Sequence, residues 1–325
     1  MSHGQLSNGQ VCVIAGGVGA ARLLRGLQDV VSPTRLTAVV NVGDDDIILG
    51  LAISPDLDTV LYTCTEAIDP IRGWGLADEH WRALEAVRAI ESANGRDDLA
   101  WFGLGDRDLG THLWRTARRN EGATLSEVTA ELSRARGLAF RLLPASDDPI
   151  STRLTTVRGE DLAFQEYFVR QHHDVAVTDV RFVGSDVARA APGVIDAITA
   201  ADLVIIAPSN PIVSIGPIRA VVEIDQALRA ARHKTVAISP IVGGVALKGP
   251  ADRMLSELGH SATVTGVAGL LTDVAATLVI DEVDAHLVQS VEQAGLRAAV
   301  TSTVMIDRAA AADLGRFCLT IGALQ

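Results

Sequence analysis

Apolar residues in this chain alternate between two patterns. Short continuous runs are separated by stretches in which apolar residues recur every three or four positions. Val11 to Ala15 is one such run; a glycine turn follows at 16–19, and Leu23, Leu24 and Leu27 then share one face of a helix predicted over 20–29. A second run, 36–42, is rich in valine and reads as a strand buried on both faces of a parallel sheet. The second half repeats the alternation. Strands are predicted at 175–183, 203–207, 236–239, 277–280 and 299–304, and helices at 194–201 and 217–231, the latter opening on Pro217. Strands spaced by helices of this length need crossover connections, which predicts an α/β fold with a doubly wound, mostly parallel, Rossmann-like sheet.

Between 66 and 170 helical periodicity takes over. Trp81, Leu84, Val87 and Ile90 recur within 79–91, which predicts a helix with Trp81 in the core. A second helix is predicted over 124–136, with a capping box formed by Thr124 and Glu127 and a stop at Gly137. The expected organisation is a nucleotide-binding core at 10–65 and 171–325, interrupted by a mainly helical, acceptor-binding insertion at 66–170.

Composition narrows the function. With 48% hydrophobic residues in 325 and a mean hydropathy of +0.26, the chain can bury a large core. The 40 acidic against 28 basic residues give a net charge of −12, which argues against nucleic acid and anionic membrane surfaces as partners. Cys12, Cys64 and Cys318 lie far apart without metal-site spacing and read as buried thiols of a reducing compartment. The polar start at 1–10 lacks a leader pattern and no run is long enough for a membrane span, so the expected location is the cytoplasm.

The chemistry-bearing motifs fall at predicted strand ends. The loop with Gly16, Gly17 and Gly19 follows a strand and opens a helix, where backbone N–H groups can hold a phosphate; a tight turn for helix-to-strand packing would need the same glycines. It is not a dinucleotide fingerprint, because Arg22 stands at the third glycine position and Asn41 where the ribose-binding acid belongs. Asp44, Asp45 and Asp46 follow the second strand, with Asp56 and Asp58 close behind. Carboxylates grouped on one sheet edge suggest a hard cation, naturally magnesium, although a hydrated loop explains the Asp44–Asp46 run equally well. Loops 208–217 and 239–250, with Ser209, Asn210, Ser214, Gly243 and Gly244, open on the same edge and suit a nucleotide or simply make turns. Trp74, flanked by glycines, offers a stacking surface, while the pair His172 and His173 reads as solvated.

Taken in order, Ala-Gly-Gly-Val-Gly at 15–19, Asn-Val-Gly-Asp-Asp at 41–45, Ser-Pro-Asp-Leu-Asp-Thr at 54–59, Gly-Asp-Arg-Asp at 105–108, Asp-Asp-Pro at 147–149, Pro-Ser-Asn-Pro-Ile-Val-Ser-Ile-Gly-Pro at 208–217 and Ser-Pro-Ile-Val-Gly-Gly at 239–244 resemble the 2-phospho-L-lactate transferase family of coenzyme F-420 biosynthesis. The resemblance implies transfer of a phosphorylated three-carbon acid from a guanosine diphosphate-linked donor to the ribityl hydroxyl of the deazaflavin Fo, with release of GMP. It implies that loops 16–19 and 208–217 hold the donor, that Asp44 and Asp45 hold magnesium, with Asp45 counted among the catalytic residues, and that Asp58 binds or activates the Fo hydroxyl. Trp74, Asp106 and Arg107 fall on the acceptor side. A homodimer is also implied. The pattern is similar to the actinobacterial branch, whose donor carries enolpyruvate in place of lactate. The alternative is a non-catalytic regulator of the same superfamily that binds a nucleotide sugar; a dehydrogenase is disfavoured by the failed fingerprint.

Overall fold

The apolar runs become strands in a computed structural model that describes residues 9–323; most of the polar start at 1–10 lies outside the described residues. The chain begins with β1 (Val11–Ala15), α1 (Gly17–Leu27), β2 (Leu36–Val40), the short hairpin β3 (Asp46–Ile48) and β4 (Leu51–Ile53), and α2 (Pro55–Cys64). Three helices follow: α3 (Arg82–Ala93), α4 (Asp106–Asn120) and α5 (Leu125–Ala135). Next come β5 (Arg141–Pro144), β6 (Ser151–Thr156), β7 (Asp161–Ala163), a π-helical turn at Glu166–Arg170, and β8 (Val177–Val183). The second half runs α6 (Val194–Ala200), β9 (Leu203–Ile206), α7 (Gly216–Ala220), α8 (Val222–Ala230), β10 (Thr235–Ile238), β11 (Ile241–Val242) and β12 (Val245–Ala246). It closes with α9 (Ala251–Glu257), α10 (Val264–Leu271), β13 (Thr277–Ile280), α11 (Val288–Gln293), β14 (Arg297–Val300) and α12 (Arg308–Gly322).

Seven strands form one parallel sheet in the order β14-β13-β10-β9-β1-β2-β5. Strands β1, β9, β10 and β13 are buried at every residue, as their unbroken apolar runs require. The chain order reverses beside β1, so the loops after β1, β2 and β9 meet at the carboxyl edge, where ligands of such sheets bind.

Four elements depart from the sequence reading, the first being the strand expected at 299–304, which is β14 and ends at Val300. The strand expected at 175–183 is β8, but it belongs to a separate antiparallel sheet, β7-β6-β8. Its residues alternate polar and apolar, and only Val177 is buried, the pattern of a sheet with one wet face. The predicted helix at 217–231 is interrupted at Val221, whose backbone is extended. Within 66–170, β5 emerges from a helical stretch and supplies the edge strand of the central sheet beside β2. Trp81 is not a core residue of α3 either: it precedes the helix, half-buried, and α3 buries only Leu84 and Glu91. The capping box of α5 is present, with Thr124 and Glu127 bonded reciprocally.

Helix α1 packs between α2 and α12, and glycine makes the second contact possible. A Cβ on Gly26 would lie 2.4 Å from the carbonyl carbon of Ala311 and 2.5 Å from the nitrogen of Ala312. Gly26→Ala gains about 1 kcal/mol of helix propensity, but overpacking against a rigid backbone costs about 1–3 kcal/mol. Net destabilisation in urea unfolding is the expected outcome; a stabilised variant would show that α12 moves freely away from α1.

Candidate active site

The loops after β1, β2 and β9 enclose a cavity of about 910 Å³. It is lined by Gly16, Gly17, Gly19, Ser209, Asn210 and Ser214, by Trp74, Trp101 and Phe102 from the helical region, and by Asp44, Asp56 and Asp58. Phe164, just before the π-helical turn, and Phe168 on it also line the cavity, stacked 5.3 Å apart with an interplanar angle of 16°. Trp74 meets Trp81 edge to face at 6.0 Å, and the Arg72 guanidinium lies 5.5 Å from the Trp74 ring and 5.2 Å from that of Trp81. The result is an aromatic rim carrying positive charge.

The glycine loop is tied to the loop after β9. Ser209 Oγ donates to the Gly16 carbonyl at 2.7 Å, and the Gly16 N–H donates back at 3.3 Å. A Cβ on Gly19 would lie 2.3 Å from the Pro208 carbonyl oxygen, so any side chain there would part the two loops. The start of α1 is already claimed by an anion: the Asp56 carboxylate accepts from the Gly17 N–H and, at 3.0 Å, from Asn41 Nδ2.

The carboxylates are poorly served. Asp44, Asp56 and Asp58 are only 4%, 7% and 6% exposed. Asp45 Oδ2 accepts from Ser54 Oγ at 2.7 Å, but Asp45 Oδ1, Asp44 Oδ1 and Asp58 Oδ2 are buried and accept no hydrogen bond. Burial pushes the carboxyls of Asp44 and Asp45 well above the usual range, and neighbouring carboxylates, Asp56 foremost for Asp44, add to the effect. Asp56 is pushed up to about 6, burial outweighing the bonds from Asn41 and Gly17. Buried acceptors with nothing to accept are expensive, and they mark where cations or donors belong.

Asp58 does not cap α2. Ser54 is the N-cap, and Asp58, one turn in, forms an ion pair with Arg115 of α4 through Oδ1. Arg115 Nη1 also donates to His112 Nδ1 at 3.2 Å, and His112 Nε2 lies 3.4 Å from Asp108 Oδ1. Tyr62, one turn beyond Asp58, donates to Asp108 at 2.6 Å. None of these α4 residues was singled out individually from sequence. Yet Asp108, His112 and Arg115 stand at i, i+4 and i+7, a buried polar stripe on an otherwise exposed, charged helix, and that spacing was the available signal.

Several expected site residues fall elsewhere, Asp45 first: half-buried and bonded to Ser54, it is not among the residues that line the cavity. Gly243 and Gly244 make the turn of the β11-β12 hairpin, with φ of 59° and 81°, and do not line the cavity; from that motif Ser239 and Pro240 do. Asp106 accepts from the Ala83 N–H at the start of α3, and Arg107 donates to the Ala77 carbonyl, so both brace the helical region instead of lining the cavity, where Asp108 stands. The local reason is Glu79, which accepts from the N–H groups of Arg107 and Asp108 and fixes the first turn of α4. His172, read as solvated, is exposed at the cavity margin.

Among the described residues no helix is long and apolar enough to cross a membrane. A family model described as 2-phospho-L-lactate transferase CofD matches residues 11–319. A phosphoenolpyruvate transferase of Kitasatospora aureofaciens is 41% identical over 317 residues, covering 96% of this chain and 97% of that protein. One from Mycobacterium sp. (strain KMS) is 42% identical over 325 residues, covering 94% and 97%. The crystal structure of a UPF0052 family protein from Bacillus halodurans shares the fold, with a TM-score of 0.62 over 96% of this chain and 99% of that one at 18% identity. A match across nearly the whole chain, on a parallel sheet whose carboxyl edge carries the matching motifs, identifies a transferase: the chain belongs to the 2-phospho-L-lactate transferase CofD family.

Proposed function

We propose that the protein transfers a phosphorylated three-carbon acid from a guanosine diphosphate-linked donor to the ribityl hydroxyl of the deazaflavin Fo in coenzyme F-420 biosynthesis, releasing GMP. The observation that carries this reading is a single cavity lined by the glycine loop, by Trp74, Trp101 and Phe102, and by Asp44 and Asp58, each of which has a buried, partnerless carboxylate oxygen. The names of the relatives, phosphoenolpyruvate transferases of actinobacteria, support an enolpyruvyl donor over a lactyl one. The donor's phosphates go to Gly19, Ser209 and Ser214, the Gly17 N–H being held by Asp56, and the flat deazaflavin goes to Trp74. The new bond joins the hydroxyl oxygen to phosphorus as the bond to the GMP oxygen breaks. The hydroxyl proton passes to Asp58, whose Oδ1 is already held by Arg115. Such a displacement depends mainly on positioning and charge compensation, so no protein nucleophile is required. The reading includes a cytoplasmic homodimer, which light scattering checks as twice the 34.2 kDa chain mass.

Magnesium is the cation we propose. Among the described residues no cluster of three or more potential ligands converges. Asp44 and Asp45, each with a partnerless Oδ1, fit an ion that takes one or two carboxylates and completes its shell with water and phosphate oxygens. When bound, it supplies compensation of the diphosphate charge.

Three outcomes follow from this chemistry. Incubation with Fo, the enolpyruvyl donor and magnesium releases GMP, seen by mass spectrometry; tight binding of a nucleotide sugar with no affinity for Fo would instead favour a regulator. Asp58→Asn lowers turnover by about 10²- to 10⁴-fold while GDP binding persists; turnover near that of the parent protein would remove Asp58 from the chemistry. A carboxyl raised from 3.8 to about 6 in the folded state keeps a proton that the unfolded chain has lost, so without metal stability falls as pH rises from about 4 to about 6, by on the order of 3 kcal/mol for Asp56. Magnesium should therefore raise the melting temperature more at about pH 7 than at about pH 5, because it binds the deprotonated site. Equal shifts at both pH values would contradict a carboxylate-held ion.

A further inference from the structure

The pair between Asp58 and Arg115 leaves a question of hydrogen-bond bookkeeping at His112. Arg115 is buried at 2% exposure and can only donate. Its Nη1 contact with His112 Nδ1 at 3.2 Å therefore makes Nδ1 the acceptor and assigns the imidazole hydrogen to Nε2, which lies 3.4 Å from Asp108 Oδ1. Asp108 is in turn anchored by Tyr62, whose hydroxyl also lies 2.9 Å from Thr111 Oγ1.

The assignment matters because of what lies beside Nδ1. Asp58 Oδ2 is 3.9 Å away, buried and without a donor. An imidazole carrying hydrogen on Nδ1 would need to move only about 1 Å to bond that oxygen. The one carboxylate oxygen of Asp58 left for a ligand would then be consumed by the protein itself. The Arg115 fork prevents this by serving Asp58 Oδ1 with one nitrogen and His112 Nδ1 with the other. A lysine, a single point of charge, cannot hold both in that geometry.

We propose that Arg115 is a positioning residue for the transfer: by donating to both Asp58 and His112 it fixes the Nε2–H tautomer of His112 and keeps Asp58 Oδ2 open for the hydroxyl of the acceptor. The inference rests on the reading of Asp58 as the acceptor-side carboxylate, and extends it by giving Arg115 a second contact, to His112, a residue that this reading did not use. It also gives a role to two of the buried polar side chains of α4, since Arg115 separates His112 from Asp58.

The test combines a spectroscopic and a kinetic measurement on the full-length protein. Nitrogen-15 histidine spectra of the free protein, with the His112 signal identified by its loss in His112→Leu, should show a bare Nδ1 and a protonated Nε2; hydrogen on Nδ1 would overturn the proposal without any further variant. In Arg115→Lys the signal should lose that tautomer. Turnover of GMP release should fall about 10- to 100-fold, with the KM for donor changed much less. Adding His112→Leu to Arg115→Lys should then recover turnover by about fivefold, since the competing donor is gone and contacting residues couple in this manner. A double variant that is no faster than Arg115→Lys overturns the proposal. If Arg115→Lys does not fold, the tautomer in the unaltered protein decides alone. A locked tautomer in a protein that releases no GMP with Fo would instead defeat the functional reading on which the inference rests.

Discussion

Burying carboxylates without a full set of counter-charges is the constraint around which this site is organised. Asp44, Asp56 and Asp58 are withdrawn from water at the carboxyl edge of the sheet, each beside others of the same charge. The fold supplies partial compensation from different directions: the start of α1 and Asn41 for Asp56, Ser54 for Asp45, Arg115 for Asp58. What is left over, one oxygen each on Asp44, Asp45 and Asp58, is the binding capacity of the site. A structural ion network would have closed these valences. Here they stay unfilled, and Asp44 and Asp58 are among the residues that line the cavity.

The same constraint orders the rest of the molecule. Loops 16–19 and 208–217 must approach backbone to backbone, which only glycine at position 19 permits. The helical region brings α4 across α2 so that Arg115 can reach Asp58, and Glu79 pins the first turn of α4 to make the stripe from Asp108 to Arg115 face inward. Trp74 and Arg72 then line the cavity, with Trp81 packed behind them. The lining residues of the cavity thus come from different parts of the chain.

Much of this was legible in the sequence because strands buried on both faces leave unbroken apolar runs: β1, β9 and β13 lie where the runs do. Strand β5 was not, since its four residues begin with an exposed arginine and end in proline, a run too short to rise above the helical pattern before it. Among site residues, Gly16, Gly17, Gly19, Asp44, Asp58, Trp74, Ser209, Asn210 and Ser214 line the cavity as expected. Asp45, Gly243, Gly244, Asp106 and Arg107 do not, because motif membership cannot separate residues that shape a loop from residues that face a ligand. His112 and Arg115 escaped notice for the opposite reason: their pairing with Asp58 spans more than fifty positions of chain, and only the fold brings α2 and α4 together.

The central claim is that the open carboxylate oxygens join two substrates through a cation. Crystals grown with GDP and Fo, and manganese in place of magnesium, test it in one anomalous difference map. The account predicts a metal peak at Asp44 and Asp45, touching the GDP phosphates that rest on loop 16–19, with the deazaflavin against Trp74 and its terminal hydroxyl on Asp58. A map with GDP at the glycine loop but no metal at the aspartates, or with Fo remote from Asp58, would contradict it.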